Sequence, residues 1–256
     1  MLPGFLRSVR AFLSLLLILA TSAGIIGTTW YFVRRGIAVE RQDALDRADA
    51  TVTALAASYS EQINRQILAL DQTLDTMVRD YEADPRHFNL ESARQRAPML
   101  TGISRDMFLT DENGVIRQSS VPDFVGRGAA ELDAFREAAE HSNDKPTMFL
   151  GGASVNPIMR QWHLDAARTL HHPDGSFAGI IDADYRIAAI TGIFSAASPP
   201  GNGFAGLVDL TGGKLRVALG AAGNTPDANI SDTKMFAALD AGDAGLWTGP
   251  SASDAV

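Results

Sequence analysis

The chain has 256 residues, 46% of them hydrophobic and 20% charged, with a formal net charge of -8, enough for one sizeable or two smaller globular units. The acidic balance excludes nucleic acid as an expected partner, because phosphate binding needs concentrated positive charge. The absence of cysteine excludes a disulfide framework, a thiolate metal site and a cysteine nucleophile; a domain outside the membrane must rest on its hydrophobic core alone, which suits a bacterial periplasm.

Residues 12–33, FLSLLLILATSAGIIGTTWYFV, carry no charge and are long enough to cross about 30 Å of hydrocarbon as a helix. Arg7 and Arg10 precede the run, Arg34 and Arg35 follow it, and Trp30 and Tyr31 sit near its far end, where amphipathic rings favour the headgroup layer. The basic flanks nearly cancel. Orientation follows from the rest: residues 1–11, short and free of acid, read as a cytoplasmic tail, and the long acidic remainder reads as the translocated part. The expected location is the bacterial inner membrane, with the bulk of the chain periplasmic. A secretory signal cleaved near Thr21-Ser22-Ala23 is the competing reading, but the apolar run continues to Val33, longer than a signal core.

Residues 38–83 contain neither glycine nor proline and read as one long helix. Apolar residues recur at Leu45, Ala48, Val52, Leu55 and Tyr59, then at Ile63, Ile67, Leu70, Leu74, Met77 and Tyr81. Steps of three and four predict one buried stripe, and the consecutive fours between Tyr59 and Ile67 have the spacing of a coiled-coil stutter. The first half is expected to pair with a second copy of the chain, making a homodimer, and the second half to pack on its own domain. An ordinary amphipathic helix lying on a sheet has the same spacing.

Asp84-Pro85 ends this helix, and residues 90–100 predict a short second one that Pro98 interrupts. Residues 107–110 and 115–119 read as a β-hairpin about Asp111-Glu112-Asn113-Gly114, with Asn-Gly supplying positive φ angles. A helix is expected over 129–142, with Leu132, Phe135 and Ala139 on one side, and a strand over 147–150 before Gly151-Gly152. Residues 161–170 and 176–185 form a second, stronger hairpin about His171-His172-Pro173-Asp174-Gly175, followed by a short helix over 186–194. The Ser-, Pro- and Gly-rich stretch 195–203 marks a subdomain boundary, and 205–209 with 214–219 read as a third hairpin about Thr211-Gly212-Gly213.

The chain also echoes itself. Phe108-Leu109-Thr110-Asp111-Glu112-Asn113-Gly114 aligns with Gly206-Leu207-Val208-Asp209-Leu210-Thr211-Gly212, and Phe135 with Met148-Phe149-Leu150-Gly151 is echoed by Met235-Phe236 with Leu246-Trp247-Thr248-Gly249. Both halves run hairpin, helix, strand. The second stops where the counterpart of the 161–185 hairpin should begin, so the expected division is a unit at 84–195 and the truncated start of another at 204–256, in the N-terminal piece of a longer protein.

An anchor helix, a long juxtamembrane helix and two successive PAS-like units with D-x-x-G turns resemble the double Cache sensor domains of bacterial transmembrane receptors. The resemblance covers essentially everything from Ala38 onward, in layout more than in letters. Its densest local match is Gly175-Ser176-Phe177-Ala178-Gly179-Ile180-Ile181-Asp182-Ala183-Asp184, similar to the D-G-x-F-x-G-V-V stretch that closes the membrane-distal unit of that family. It implies an α/β fold, with 84–195 as the membrane-distal and 204–256 as the membrane-proximal Cache unit, and a role in signal reception. Such domains stand ahead of diguanylate cyclases, histidine kinases and chemoreceptors, so the output is left open.

Folding the second hairpin about Pro173-Asp174-Gly175 pairs Leu170 with Phe177, Ala166 with Ile181, Leu164 with Ala183 and Trp162 with Tyr185. One face is then apolar except for Arg168, which reads as a structural arginine bonding carbonyls. The other carries His163, Asp165, Asp182 and Asp184, with Asp165 across from Asp182. Facing like charges are unfavourable. This face is therefore either wet, as the solvated side of a half-exposed sheet, or meets a cation, as the acidic wall of a ligand pocket. In the amino-acid-sensing branch of the family an R-x-W element grips the ligand carboxylate and an aspartate ending the G-V-V strand grips its amine; the resemblance implies these roles for Arg160, Trp162 and Asp184. His163 stands where that branch has tyrosine, and the two elements lie closer in sequence than its pattern expects. The expected ligand-binding residues are Arg160, Trp162, His163, Asp182 and Asp184, and the expected ligand is a small polar solute such as an amino acid or amine.

His171-His172 has no carboxylate or cysteine neighbour at metal spacing, and no G-x-S-x-G, P-loop, H-E-x-x-H or Rossmann fingerprint occurs. No cofactor, metal or catalytic residue is expected in this stretch. The reading is the extracytoplasmic ligand-sensing region of a membrane signalling receptor, which passes solute binding through the long helix and the span to a cytoplasmic output domain. One alternative is the N-terminal part of a signalling enzyme, a diguanylate cyclase or histidine kinase, with catalysis beyond Val256. Another is a membrane-anchored periplasmic binding module without output.

Overall fold

The computed structural model describes residues 3–142, 148–155, 160–196, 205–209, 214–219 and 228–240. Its packing divides the chain into two compact units, Met1–Ala54 and Leu55–Val256.

The first unit is the leading part of one helix, α1 (Pro3–Ala83). Residues 34–37, between the expected span and the expected juxtamembrane helix, are helical as well. Within α1 lies a stretch long and apolar enough to cross a membrane. Its large side chains face outward, Ile25 at 66% and Phe32 at 68% exposure, an arrangement that lipid satisfies and water does not. The hydroxyls of Thr21 and Thr28 donate back to the Leu17 and Gly24 carbonyls at 2.9 and 2.8 Å, so neither brings an unpaired donor into the apolar stretch. The stripe residues of this unit, Leu45 and Val52, are 47% and 49% exposed.

The second unit is a mixed α/β fold, opening with the remaining turns of α1. Its main sheet contains β1 (Ser104–Thr110), β2 (Ile116–Ser119), β3 (Phe149–Val155), β4 (Trp162–His171) and β5 (Phe177–Arg186). The order is β2-β1-β5-β4-β3 and every pairing is antiparallel. Here the predicted stripe is buried: Tyr59, Ile63, Leu70, Leu74 and Met77 pack with Leu164, Ala166, Leu170, Ile181 and Ala183 in one core. The same core takes in α2 (Leu90–Gln95), which stops before Pro98, and α3 (Leu100–Ile103).

The opposite sheet face is covered by a 3-10 turn at Pro122–Phe124 and by α4 (Asp133–Glu140). Leu132 is extended, with φ -69° and ψ 137°, so the helix begins at Asp133, four residues after the expected start, and Leu132 lies outside it. The inward side chains are Ala134, Phe135 and Ala138, while Leu132 and Ala139 are only partly buried. The first hairpin turn also differs. Gly114 has φ 74° and Asn113 does not share the positive angle; the turn is tied instead by Asp111 Oδ1, which accepts from the N–H groups of Asn113 and Val115 at 3.0 and 2.9 Å, an Asx turn.

The second hairpin keeps the predicted faces beyond Gly179 and changes the predicted register; Phe177, expected beside Leu170 on the α1 side, packs instead against Phe135 of α4 on the other face, and Ala178 joins the α1-side core. His172 N–H donates to the Ser176 carbonyl at 2.9 Å, which displaces the pairing by one residue. Gly179 then sits opposite Leu170 while Phe177 sits opposite His171, so Ala178 is an extra residue and displaces it by one more. The extra residue is accommodated at Gly179, whose φ is 127° and whose missing Cβ would lie 2.2 Å from the Thr110 carbonyl oxygen of β1. Two single shifts preserve parity. They place Asp165 opposite Asp184, and Ala167 opposite Asp182.

After α5 (Ile187–Ala196) comes a smaller antiparallel sheet of β6 (Ala205–Asp209), β7 (Lys214–Leu219) and β8 (Ala228–Asn229), then α6 (Lys234–Asp240). Residues 197–203 of the expected boundary, the turn 211–213 and the echoed strand 246–249 lie outside the described residues.

Candidate ligand site

Strand alternation sends His163 and Asp165 of β4, and Asp182 and Asp184 of β5, to the sheet face away from α1. There a cavity of about 410 Å³ lies between the sheet and the chain that covers it. His163, Asp165, Asp184 and Ser154 of β3 line its sheet side; Phe124, Arg127 and Leu132 line the covering segment. The wall is not the solvated sheet side that the facing carboxylates also allowed. Asp165 and Asp184 are each 5% exposed and Asp182 is fully buried.

His163 is the centre of the cluster. Its Nε2 lies 3.1 Å from Asp165 Oδ1, 3.8 Å from Asp184 Oδ1 and 3.2 Å from Ser154 Oγ, and its Nδ1 lies 3.5 Å from the Gln161 carbonyl oxygen. Burial alone pushes the imidazole toward its neutral form; the Asp165 hydrogen bond and the Asp184 and Asp165 charges outweigh it, and the pKa is raised. Gly151 makes room for this packing, since a Cβ there would come within 3.2 Å of Asp165 Cβ.

Asp182 sits in the same face, and neither of its oxygens has a hydrogen-bond partner among the described residues. Burial first, then the charges of Asp165 and Asp184, push its carboxyl well above the usual carboxylate range.

Of the residues singled out in the sequence, His163 and Asp184 line the cavity and Asp182 lies beside them in the sheet. Arg160 is exposed with a left-handed backbone, φ 51°. Trp162 opens β4, is 40% exposed and shares strand parity with Leu164, a residue of the α1-side core. Neither Arg160 nor Trp162 is in the lining. Asp165, Ser154 and Arg127 join it; Asp165 had a sequence signal in its parity with His163, whereas Ser154 and Arg127 had none. The residues His163, Asp165 and Asp184 also form a group able to hold a metal ion, with ligand atoms all within 4.8 Å of one another. Motif spacing did not reveal it because its members come from two strands.

On the other face, Arg168 does not bond carbonyls as expected. Its Nε donates to Asp71 Oδ1 and its Nη1 to Asp75 Oδ1, both at 2.7 Å, because α1 carries these two carboxylates one turn apart above β4.

No protein-family model matches the chain, and no curated protein matches it. Among solved structures it is similar to the extracellular domain of rpHK1S-Z16, described as a histidine kinase, with a TM-score of 0.63 and 19% identity over 72% of this chain and 75% of that one. It is also similar to an extracellular ligand-binding receptor from Desulfohalobium retbaense, with a TM-score of 0.61 and 12% identity over 76% of this chain and 35% of that one. The chain thus spans about a third of the second structure. At these identities the likeness is one of fold. The α/β fold expected from the sequence is one that this chain shares with both of these extracellular structures.

Proposed function

We propose that this chain is the ligand-sensing region of a bacterial signalling receptor. Residues 12–33 anchor it in the inner membrane, the second unit lies in the periplasm, and a small polar solute enters the cavity over His163, Asp165 and Asp184. Within the second unit, 84–195 acts as the membrane-distal sensor and 204–256 begins the membrane-proximal one. The observation that carries this reading is a set of buried titratable side chains on two strands, turned into a cavity on the sheet face away from α1. Burying such groups costs several kcal/mol unless they are paired, and a core with no use for them would be better filled with apolar residues. The likeness in fold to extracellular domains supports the same reading.

An ammonium group fits the carboxylate wall, and Arg127 in the lining offers a cation to a carboxylate, so an amino acid or amine is the proposed solute class. Binding then shifts the part of α1 packed on the sheet, and α1 carries the shift toward the anchor and a cytoplasmic output domain. The half-exposed stripe at Leu45 and Val52 is the proposed homodimer contact. Thermal shift of the full chain in lipid nanodiscs, screened against amino acids, amines and carboxylates, tests the reading. A solute that binds the folded state raises the melting temperature by mass action, and Asp184→Asn abolishes the rise. A screen in which no solute stabilises the wild-type chain overturns it.

A further inference from the structure

We infer that the floor of the cavity is a divalent metal site in which His163 Nε2 and the carboxylates of Asp165 and Asp184 are the ligands. This rests on the cavity being the receptor's ligand site and adds a resident ion to it.

The first support is the spacing of the donors. Ligand bonds of about 2.0–2.2 Å place the donors of a tetrahedral site roughly 3.4 Å apart. Nε2 lies 3.1 and 3.8 Å from the two Oδ1 atoms, and one ligand atom from each residue falls within 4.8 Å of the others. A cation at their centre reaches all three with little rearrangement.

The second is the direction of the imidazole. The Gln161 carbonyl beside Nδ1 can only accept a hydrogen bond, so Nδ1 keeps its proton and Nε2 is the ring atom turned to the two carboxylates. A metal ion bound there would take the place of the proton that Nε2 otherwise shares with Asp165. A backbone carbonyl behind the other ring nitrogen is the usual support of a metal-bound histidine.

The third, independent of the cluster, is Asp182. It is fully buried, shares the sheet face of Asp184 two residues on, and has no hydrogen-bond partner on either oxygen among the described residues. Asp165 and Asp184 lie beside the imidazole, and Asp182 stands on the same sheet face. The donor set also selects the ion: imidazole with carboxylates suits zinc, manganese and their first-row neighbours, while calcium prefers an all-oxygen cage. Three protein ligands leave a coordination position open, and the open side is the cavity. A solute carboxylate or amine entering there would complete the sphere.

The test uses the full chain in nanodiscs, stripped with a chelator and titrated calorimetrically with zinc chloride, manganese chloride and calcium chloride. One zinc or manganese ion per chain is expected, at micromolar affinity or tighter, with calcium weaker. His163→Ala and Asp165→Asn should each weaken binding by at least about tenfold. X-ray absorption of the wild-type zinc complex, which does not depend on the variants folding, should show one imidazole and oxygen donors at about 2.0–2.2 Å. Absence of a stoichiometric ion at millimolar metal overturns the site, as does equal binding by wild type and both variants. If solutes still raise the melting temperature of metal-free protein in that case, the receptor reading stands without the ion; if the ion binds and no solute does, the ion stands without the receptor reading.

Discussion

Asp184 and Tyr185 are neighbours in β5 that face opposite ways: Asp184 lines the cavity, and the Tyr185 hydroxyl donates to Gln66 Oε1 of α1 at 2.7 Å. In β4 the same alternation puts Asp165 in the cavity and Arg168 on Asp71 and Asp75 of α1. The strands that present the polar wall are therefore the strands that hold α1 by polar contacts. Any displacement of β4 or β5 would strain these contacts at Gln66, Asp71 and Asp75. Burial pushes the Tyr185 phenol up to about 12, so it remains a donor throughout the physiological range.

Replacing Tyr185 with phenylalanine should cost about 1 kcal/mol of stability, the net worth of one buried hydrogen bond. It should leave solute affinity unchanged while weakening the solute-induced change in hydrogen exchange of α1 amides around Gln66. If instead affinity falls and the α1 response persists, Tyr185 belongs to the binding site rather than to the link between sheet and helix.

Arg168 should prove more costly. Its guanidinium is buried and holds two carboxylates, and its removal leaves Asp71 and Asp75 as like charges four residues apart on one helix face. Both aspartates are partly exposed, so water recovers part of the loss. Arg168→Met should destabilise by about 2 kcal/mol in urea unfolding, and a double-mutant cycle with Asp71→Asn should show a coupling of at least about 0.5 kcal/mol. Strict additivity would mean that the pair contributes nothing specific.

Asp182 should behave in the opposite sense. A buried carboxyl without hydrogen bonds lowers the stability of the fold that contains it, so Asp182→Ala is expected to raise stability by about 1 kcal/mol or more in chelated, solute-free protein. The same substitution should weaken whatever cation the wall holds, the exchange of stability for function seen at built sites. A variant that is destabilised and binds as before would show that Asp182 is an ordinary, satisfied core residue.

Much of this architecture was legible in the sequence, for reasons that differ by element. The stripe from Tyr59 to Met77 and the two faces of the second hairpin follow from periodicity, which local chemistry sets. Parity protected the faces beyond Gly179 even though the register moved: the longer turn at His172 and the extra residue at Ala178 each shift pairing by one, so Asp165 meets Asp184 in place of Asp182. The extra residue depends on how closely β5 approaches Thr110, a tertiary contact with no local signature. The partners of Arg168 lie 97 and 93 residues away, and no pattern connects them. Ser154 entered the lining because β3 continues through Gly151-Gly152, where the glycines suggested a strand end; in the fold Gly151 serves to admit Asp165. Arg127 comes from irregular chain, where side-chain direction is set only by the finished packing.

The close approach at Gly179 can be separated from backbone strain by comparing two glycines of the same hairpin. Gly175, at φ 85°, has open space where a Cβ would go, whereas Gly179, at φ 127°, would drive its Cβ to 2.2 Å from the Thr110 oxygen and 2.8 Å from the Asp111 carbonyl carbon. Gly175→Ala should therefore cost only the conformational penalty of a left-handed residue, about 1 kcal/mol. Gly179→Ala must also push β5 from β1, breaking the bond from Ile180 N–H to Thr110 Oγ1 at 3.0 Å, and should cost at least about 3 kcal/mol. Because Asp182 and Asp184 lie just beyond on the displaced strand, that variant should also lose cation or solute binding, while Gly175→Ala retains it. Equal destabilisation of the two variants in thermal or urea unfolding would show that φ alone decides, and that the approach of β5 to β1 does not position the site.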